Sequence, residues 1–111
     1  MSTPTELTVS FVAKLVAKSE MAEEVSELLA SAAKLAADET TTPVWFALRT
    51  DPVTFWIVDA FASEADRQAH LAGPIAAALM ANADRLLATP PEIMPADVLA
   101  AKIPAAPRRD S

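Results

Sequence analysis

Residues 54–61, Thr-Phe-Trp-Ile-Val-Asp-Ala-Phe, form a run of strand-forming side chains that is apolar on both faces. Aromatic and β-branched residues fit a pleated surface. Side chains alternate across a strand, so Phe55, Ile57 and Phe61 share one face and Trp56, Val58 and Ala60 the other. An antiparallel strand with one face in water alternates apolar with polar residues. This one does not, so each face needs its own cover. A chain with only two helical stretches can cover one face. The other face predicts a partner subunit, and a homodimer is expected. The run passes into a helix with almost no loop. Ser63 is a good N-cap, Asp66 stands three residues on as a weak capping box, and Gly73-Pro74 interrupts the helix or begins a second segment of it.

The flanking sequence supplies the rest of a layered domain. Leu7–Lys18 alternates as a strand, with Leu7, Val9, Phe11, Ala13 and Leu15 on one face. Ser19-Glu20-Met21 leads into an amphipathic helix of about sixteen residues, whose stripe is Val25, Leu28, Leu29, Ala32, Leu35 and Ala36. Its early glutamates suit the positive end of the helix dipole and read as a solvated face rather than a metal site. A loop at Asp38–Pro43 precedes a second strand, Val44–Arg49, and Asp51-Pro52 turns the chain into the third, Thr54–Phe61. A second helix runs from about Ser63 to Leu87, with Ile75, Ala76, Leu79, Ala83 and Leu86 as its later stripe. Glu92–Ile103 reads as a fourth strand with Val98, Leu99 and Ile103 as its apolar part, confined to an edge or a bulge by Pro95. Residues 1–6 are expected to be frayed and 104–111 to be a disordered tail. The order β-α-β-β-α-β is the ferredoxin-like α+β arrangement, an antiparallel sheet with helices on one face.

Composition narrows the function. The 111 residues are 52% hydrophobic, ample for one core, and carry a net charge of −6 with no basic cluster outside Arg108-Arg109. Nucleic acid is therefore not an expected partner, because phosphate neutralisation needs a positive face. The absence of cysteine removes disulfides, zinc thiolates, iron–sulfur clusters and a thiol nucleophile. No basic leader is present and no apolar run nears a membrane span, so a cytoplasmic protein without membrane contact is expected.

The stretches Leu48-Arg-Thr-Asp-Pro, Phe55-Trp-Ile-Val-Asp-Ala-Phe and His70-Leu-Ala-Gly-Pro resemble the antibiotic biosynthesis monooxygenase domain family over about residues 7–103. The resemblance implies a dimeric α/β barrel, in which two ferredoxin-like sheets pack face to face. It also implies chemistry such as the oxidation of phenols or quinols to quinones by dioxygen without a cofactor. Other members of that group are isomerases or haem-degrading enzymes. This chain departs from the family pattern in several places. Asp59 stands where the family commonly has Glu, Phe61 where it has Trp, Gly73 where it has Ser, and Ile75-Ala76 where His-Phe is frequent. The chain contains no Tyr. The haem branch fits badly, since its Trp falls at His70 and its haem-ligating His near Met80. No cofactor and no metal are expected.

A cofactor-free oxygenase needs an apolar pocket with one or two tuned polar groups. Phe11, Trp45, Phe46, Trp56 and Phe61 are the candidate walls. Asp59, the one carboxylate inside an apolar strand, and His70, the one imidazole, are the candidate catalytic groups. Burial raises a carboxyl pKa and can poise it as a base, although Asp59 also reads as a structural partner for a nearby donor. Helical phase puts His70 away from the face marked by Ala65, Ala69 and Ala72, and its alternative role is to bond backbone groups freed at the Gly73-Pro74 break. If Trp45 lies opposite Asp59, both share a face with Arg49 and Phe55; a slip by one residue puts Trp45 and Arg49 with Trp56 instead. The leading expectation is a cofactor-independent monooxygenase acting on a small aromatic or quinol compound. A non-enzymatic dimer that binds small apolar metabolites is the alternative, and a dimerisation module with a collapsed interior is the third.

Overall fold

The structure, a computed structural model, describes residues 6–103. The frayed start expected at 1–6 lies outside those residues except for Glu6, and the tail expected at 104–111 lies outside them altogether. The elements are β1 (Val9–Val16), α1 (Ala22–Asp38), β2 (Val44–Asp51), β3 (Thr54–Ala60), α2 (Glu64–Leu71), α3 (Pro74–Leu86) and β4 (Glu92–Asp97), with a 3-10 turn at Ser19–Met21 ahead of α1. The strands form one antiparallel sheet in the order β2-β3-β1-β4. This is the ferredoxin-like α+β fold, with the second helix divided where Pro74 takes the first helical position of α3. Among the described residues no helix is long and apolar enough to cross a membrane.

The alternation of β1 decides where the core lies. Phe11, Ala13 and Leu15 are buried, and their cross-strand neighbours Ile57 (opposite Ala13) and Phe55 (opposite Leu15) bring the apolar face of β3 beside them. Val25 and Leu29 of α1 and Leu79, Ala83 and Leu86 of α3 close over that face. The buried stripe of α1 is Ala22, Val25, Leu29, Ala32 and Ala36. Leu35, expected in that stripe, lies on its flank and is 38% exposed, because the small alanines let the helix sit closest to the sheet along their own row.

The β2–β3 hairpin settles the register. Trp45 pairs with Asp59 and Arg49 with Phe55, the first of the two alignments weighed above. The turn is closed by Asp51, whose Oδ1 accepts from the backbone N–H groups of Val53 at 3.0 Å and Thr54 at 2.9 Å. β4 corrects the expectation of a strand reaching Ile103. It ends at Asp97, which pairs with Val9, the first residue of β1; beyond that point the neighbouring strand has run out. Leu99 is consequently 95% exposed instead of lying in a sheet. Pro95 is tolerated because β4 is an edge.

The face of the sheet turned away from the helices carries Phe46, Leu48, Trp56, Val58 and Met94, with Phe46 56% exposed. Leu15, fully buried where β1, β3 and the helices meet, has no solvent path to relax into. We expect Leu15→Ala to lower the unfolding free energy by about 2–5 kcal/mol, read as a shift in the urea midpoint at constant slope.

Candidate functional site

Between the Val12–Val58 pair and the Val9–Phe61 bridge the β1–β3 ladder is open. There the N–H of Phe11 donates to the Asp59 carboxylate, Oδ1, at 2.8 Å. Asp59 is 2% exposed and lies on the helix-covered face of β3, as Phe55 and Ile57 do. Its second oxygen, Oδ2, stands 3.4 Å from Nε2 of His70. Burial away from water raises the Asp59 pKa above its ordinary 3.8, against the opposing pull of the Phe11 N–H, His70 and Arg67.

His70 is the one buried residue of α2, which corrects the helical-phase expectation. The Ala65, Ala69 and Ala72 row faces solvent, and the inward row is Asp66, Arg67 and His70. Three alanines offer little burial energy, whereas this polar row gains several hydrogen bonds. Arg67 donates to the backbone carbonyls of Ser10 at 3.1 Å and Ala96 at 3.4 Å, lies over the Phe11 ring, and pairs with Glu64. Ser63 caps the helix by accepting from the Asp66 N–H at 3.2 Å. The imidazole does not bond backbone freed at the Gly73-Pro74 break. Its Nδ1 is 2.7 Å from Oε1 of Glu39, which also accepts from the Thr42 hydroxyl at 2.7 Å. Glu39, in the loop between α1 and β2, was not legible as a site residue. The only trace is an acid in a threonine-rich loop, a pattern common on any surface.

The result is a line of three groups, Asp59–His70–Glu39, that passes from the sheet interior to a loop. A cavity of about 40 Å³ opens on Asp59 and His70, walled by Phe11, Trp45, Ile57, Ile75 and neighbouring aliphatic side chains. It shares Leu71, Ala76, Leu79 and Ile93 with an adjoining groove of about 380 Å³ that reaches Met80 at the surface. The inner chamber has room for a water or a small polar group, and the groove is large enough for a ring system.

Of the residues singled out from the sequence, Asp59, His70, Phe11 and Trp45 come together here. Phe61 does not line the chamber. It is completely buried, with its ring 5.3 Å from the imidazole and edge-on to Phe11, and supports both. Trp56 is a correction. Strand alternation puts it on the opposite face, where its indole N–H donates to Thr50 Oγ1 at 3.0 Å; Phe46 shares that face. Among the described residues no group of three or more His, Cys, Asp and Glu side chains is arranged to hold a metal. The imidazole stands between the two carboxylates instead of converging with them on a common point.

The raised pKa of Asp59 has a stability consequence. Unfolded, the carboxyl titrates near 3.8; folded, it titrates higher. Between those values the folded state holds the proton more tightly, so the contribution of Asp59 is most favourable in acid and declines as pH rises through the folded value. We expect the unfolding free energy of the wild type, taken relative to Asp59→Asn in urea titrations from pH 4 to 8, to fall with rising pH and then level off.

No family model and no curated protein matches the chain. Solved structures do. A protein of unknown function from Nitrosomonas europaea is 49% identical, with a TM-score of 0.88 over 92% of this chain and 99% of that one. A protein from Caulobacter crescentus, described as a candidate antibiotic biosynthesis monooxygenase, is 21% identical, with a TM-score of 0.73 over 86% of this chain and 93% of that one. A second Nitrosomonas europaea protein, described in the same words, is 16% identical, with a TM-score of 0.75 over 83% of this chain and 99% of that one. The last two similarities are those of a shared fold. The chain therefore belongs to one family with the 49%-identical Nitrosomonas europaea protein, a family built on the fold of the antibiotic biosynthesis monooxygenases.

Proposed function

We propose that the protein is a cofactor-independent monooxygenase that oxidises a small aromatic or quinol compound with dioxygen. The observation that carries this reading is the buried Asp59–His70 pair lining an apolar cavity walled in part by Phe11 and Trp45. The ring of the substrate lies in the groove between Leu71, Ala76, Met80 and Ile93, with its polar edge toward the inner chamber. Asp59 and His70 share the proton taken from the substrate. Dioxygen then adds to the electron-rich carbon; one oxygen atom stays as the new carbonyl and the other leaves as water with two hydrogens from the substrate. The low-dielectric walls exclude water from the charged intermediate and strengthen the interactions of the pair.

The small inner chamber favours a second reading, a binding protein for small apolar metabolites without turnover. Oxygen uptake with anthrone and 1,4-naphthalenediol, corrected for the uncatalysed rate, separates the two. The oxygenase reading expects His70→Ala and Asp59→Asn each to lower turnover by about 100-fold or more, with binding of 1,4-naphthoquinone retained. Saturable quinone binding without oxygen uptake, unchanged in His70→Ala, supports the binding protein. Neither uptake nor binding removes both.

We further propose that a second copy of the chain covers the sheet face that carries Phe46, Leu48, Trp56 and Met94. An exposed apolar face of this kind costs free energy in water and is a common interaction surface. Sedimentation at micromolar concentration is expected to give about twice the 11.7 kDa chain mass. A monomer would leave the face unexplained and end the homodimer reading.

A further inference from the structure

We infer that Glu39 is a positioning residue for His70: its Oε1 accepts the Nδ1 proton of the imidazole and leaves Nε2, the nitrogen that faces Asp59 and the cavity, as the basic one. The inference deepens the proposed function, because it assigns the nitrogen that would receive a substrate proton.

Two carboxylates compete for the single proton of a neutral imidazole; the Thr42 hydroxyl also lies 3.4 Å from Nδ1 but gives its proton to Glu39 at 2.7 Å. Glu39 Oε1 lies 2.7 Å from Nδ1, within strong charge-assisted range, while Asp59 Oδ2 lies 3.4 Å from Nε2. The proton belongs on the side of the shorter contact. Glu39 is held for this task. Thr42 donates to the same Oε1 at 2.7 Å, and the Glu39 N–H donates to the Ala36 carbonyl at 3.1 Å, which closes the end of α1. Its other oxygen, Oε2, is buried without a hydrogen-bond partner among the described residues. A buried acceptor left unpaired is unfavourable, and the contacts that Oε1 makes with the imidazole and with Thr42 offset it. A Cβ at Gly73 would stand a tight 3.2 Å from the His70 carbonyl and in ordinary contact, 3.4 Å, with Glu39 Oε2, so the Gly73 backbone packs directly against this pair. On the far side of the ring, Asp59 already uses Oδ1 to accept from Phe11, so a proton on Asp59 sits on Oδ2 and points at Nε2. The charged and titratable groups around the imidazole are therefore Glu39 and Asp59, with Arg67 beside Asp59. The arrangement follows the logic of a base oriented by a second carboxylate, with Asp59 on the substrate side.

The chain has one histidine, so the test needs no assignment. In untagged, 15N-labelled protein at pH 7.5 the two ring nitrogens give one pair of signals, and we expect Nδ1 to be protonated and Nε2 bare. Glu39→Gln keeps a carbonyl acceptor and should retain that tautomer. Glu39→Leu removes it and should move the tautomer ratio toward Nε2–H by about tenfold or more. Thr42→Val loosens Glu39 without deleting it and should give a smaller shift in the same direction, which keeps the test usable if Glu39→Leu does not fold. A proton on Nε2 alone in the wild type, protons on both nitrogens, or a ratio unchanged in Glu39→Leu would overturn the inference. The measurement uses no substrate, so a protein without oxygenase activity can still pass it, and an active one can still fail it.

Discussion

The carboxylate of Asp59 ties β1, α2 and the loop between α1 and β2 to β3 through polar contacts. It takes the N–H of Phe11 where the β1–β3 ladder opens, and it faces the imidazole that docks α2. Through His70 it reaches Glu39 and the loop between α1 and β2. An uncompensated buried charge is severely destabilising, commonly by about 3–5 kcal/mol when one partner is removed. Asp59 is therefore held most favourably when β1, α2 and the 39–42 loop are all in place around it. A leucine at 59 would remove the charge and satisfy the strand pattern, but α2 would lose its reason to sit there.

Much of the fold was legible because it rests on periodicity. Phe11, Ala13 and Leu15 alternate, Val25, Leu29, Ala32 and Ala36 recur at helical spacing, and Ser63 and Pro74 mark helix starts, all of them local patterns with local physical causes. The hairpin alignment was not legible, because a slip by one residue exchanges one plausible face for another and the choice is made by contacts across the whole sheet. The orientation of α2 was misread for a related reason. An alanine row looks like a packing face when sequence is all there is, yet alanine buries little surface, and a row in which Arg67 and His70 have partners on other elements outweighs it. Glu39 escaped because its partner lies 31 residues away and on a different element. The site is thus half legible: residues that break a strong pattern, such as an acid inside an apolar strand, stand out, and residues that complete a network from a loop do not.

Shape and chemistry divide the cavity. The end that carries Asp59 and His70 is small, and the apolar groove is wider and opens at Met80. Under the proposed function, discrimination by size would belong to the groove, where a methylene more or less in contact with Leu79 or Ile93 is worth about 1–3 kcal/mol. Discrimination by hydrogen bonding belongs to the chamber. Met80, at the rim, is an unbranched and adaptable side chain, suited to closing over ligands of differing outline.

The polar inner face of α2 also shapes how the molecule moves. α1 and α3 bury apolar stripes, and lifting either exposes core to water. α2 buries only His70 and spans only eight residues. Its detachment breaks hydrogen bonds and ion pairs and uncovers less apolar surface than lifting α1 or α3 would, chiefly the Phe11 and Phe61 rings that Arg67 and His70 cover. Such an opening carries a small heat-capacity change and little dependence on denaturant, so it proceeds as a local fluctuation well below the free energy of global unfolding. Amide exchange in residues 64–71 would then respond to salt and acidity more than to urea. Of the three helices, the one that holds the imidazole buries the least core, and its opening would expose the chamber with the sheet and the other two helices in place.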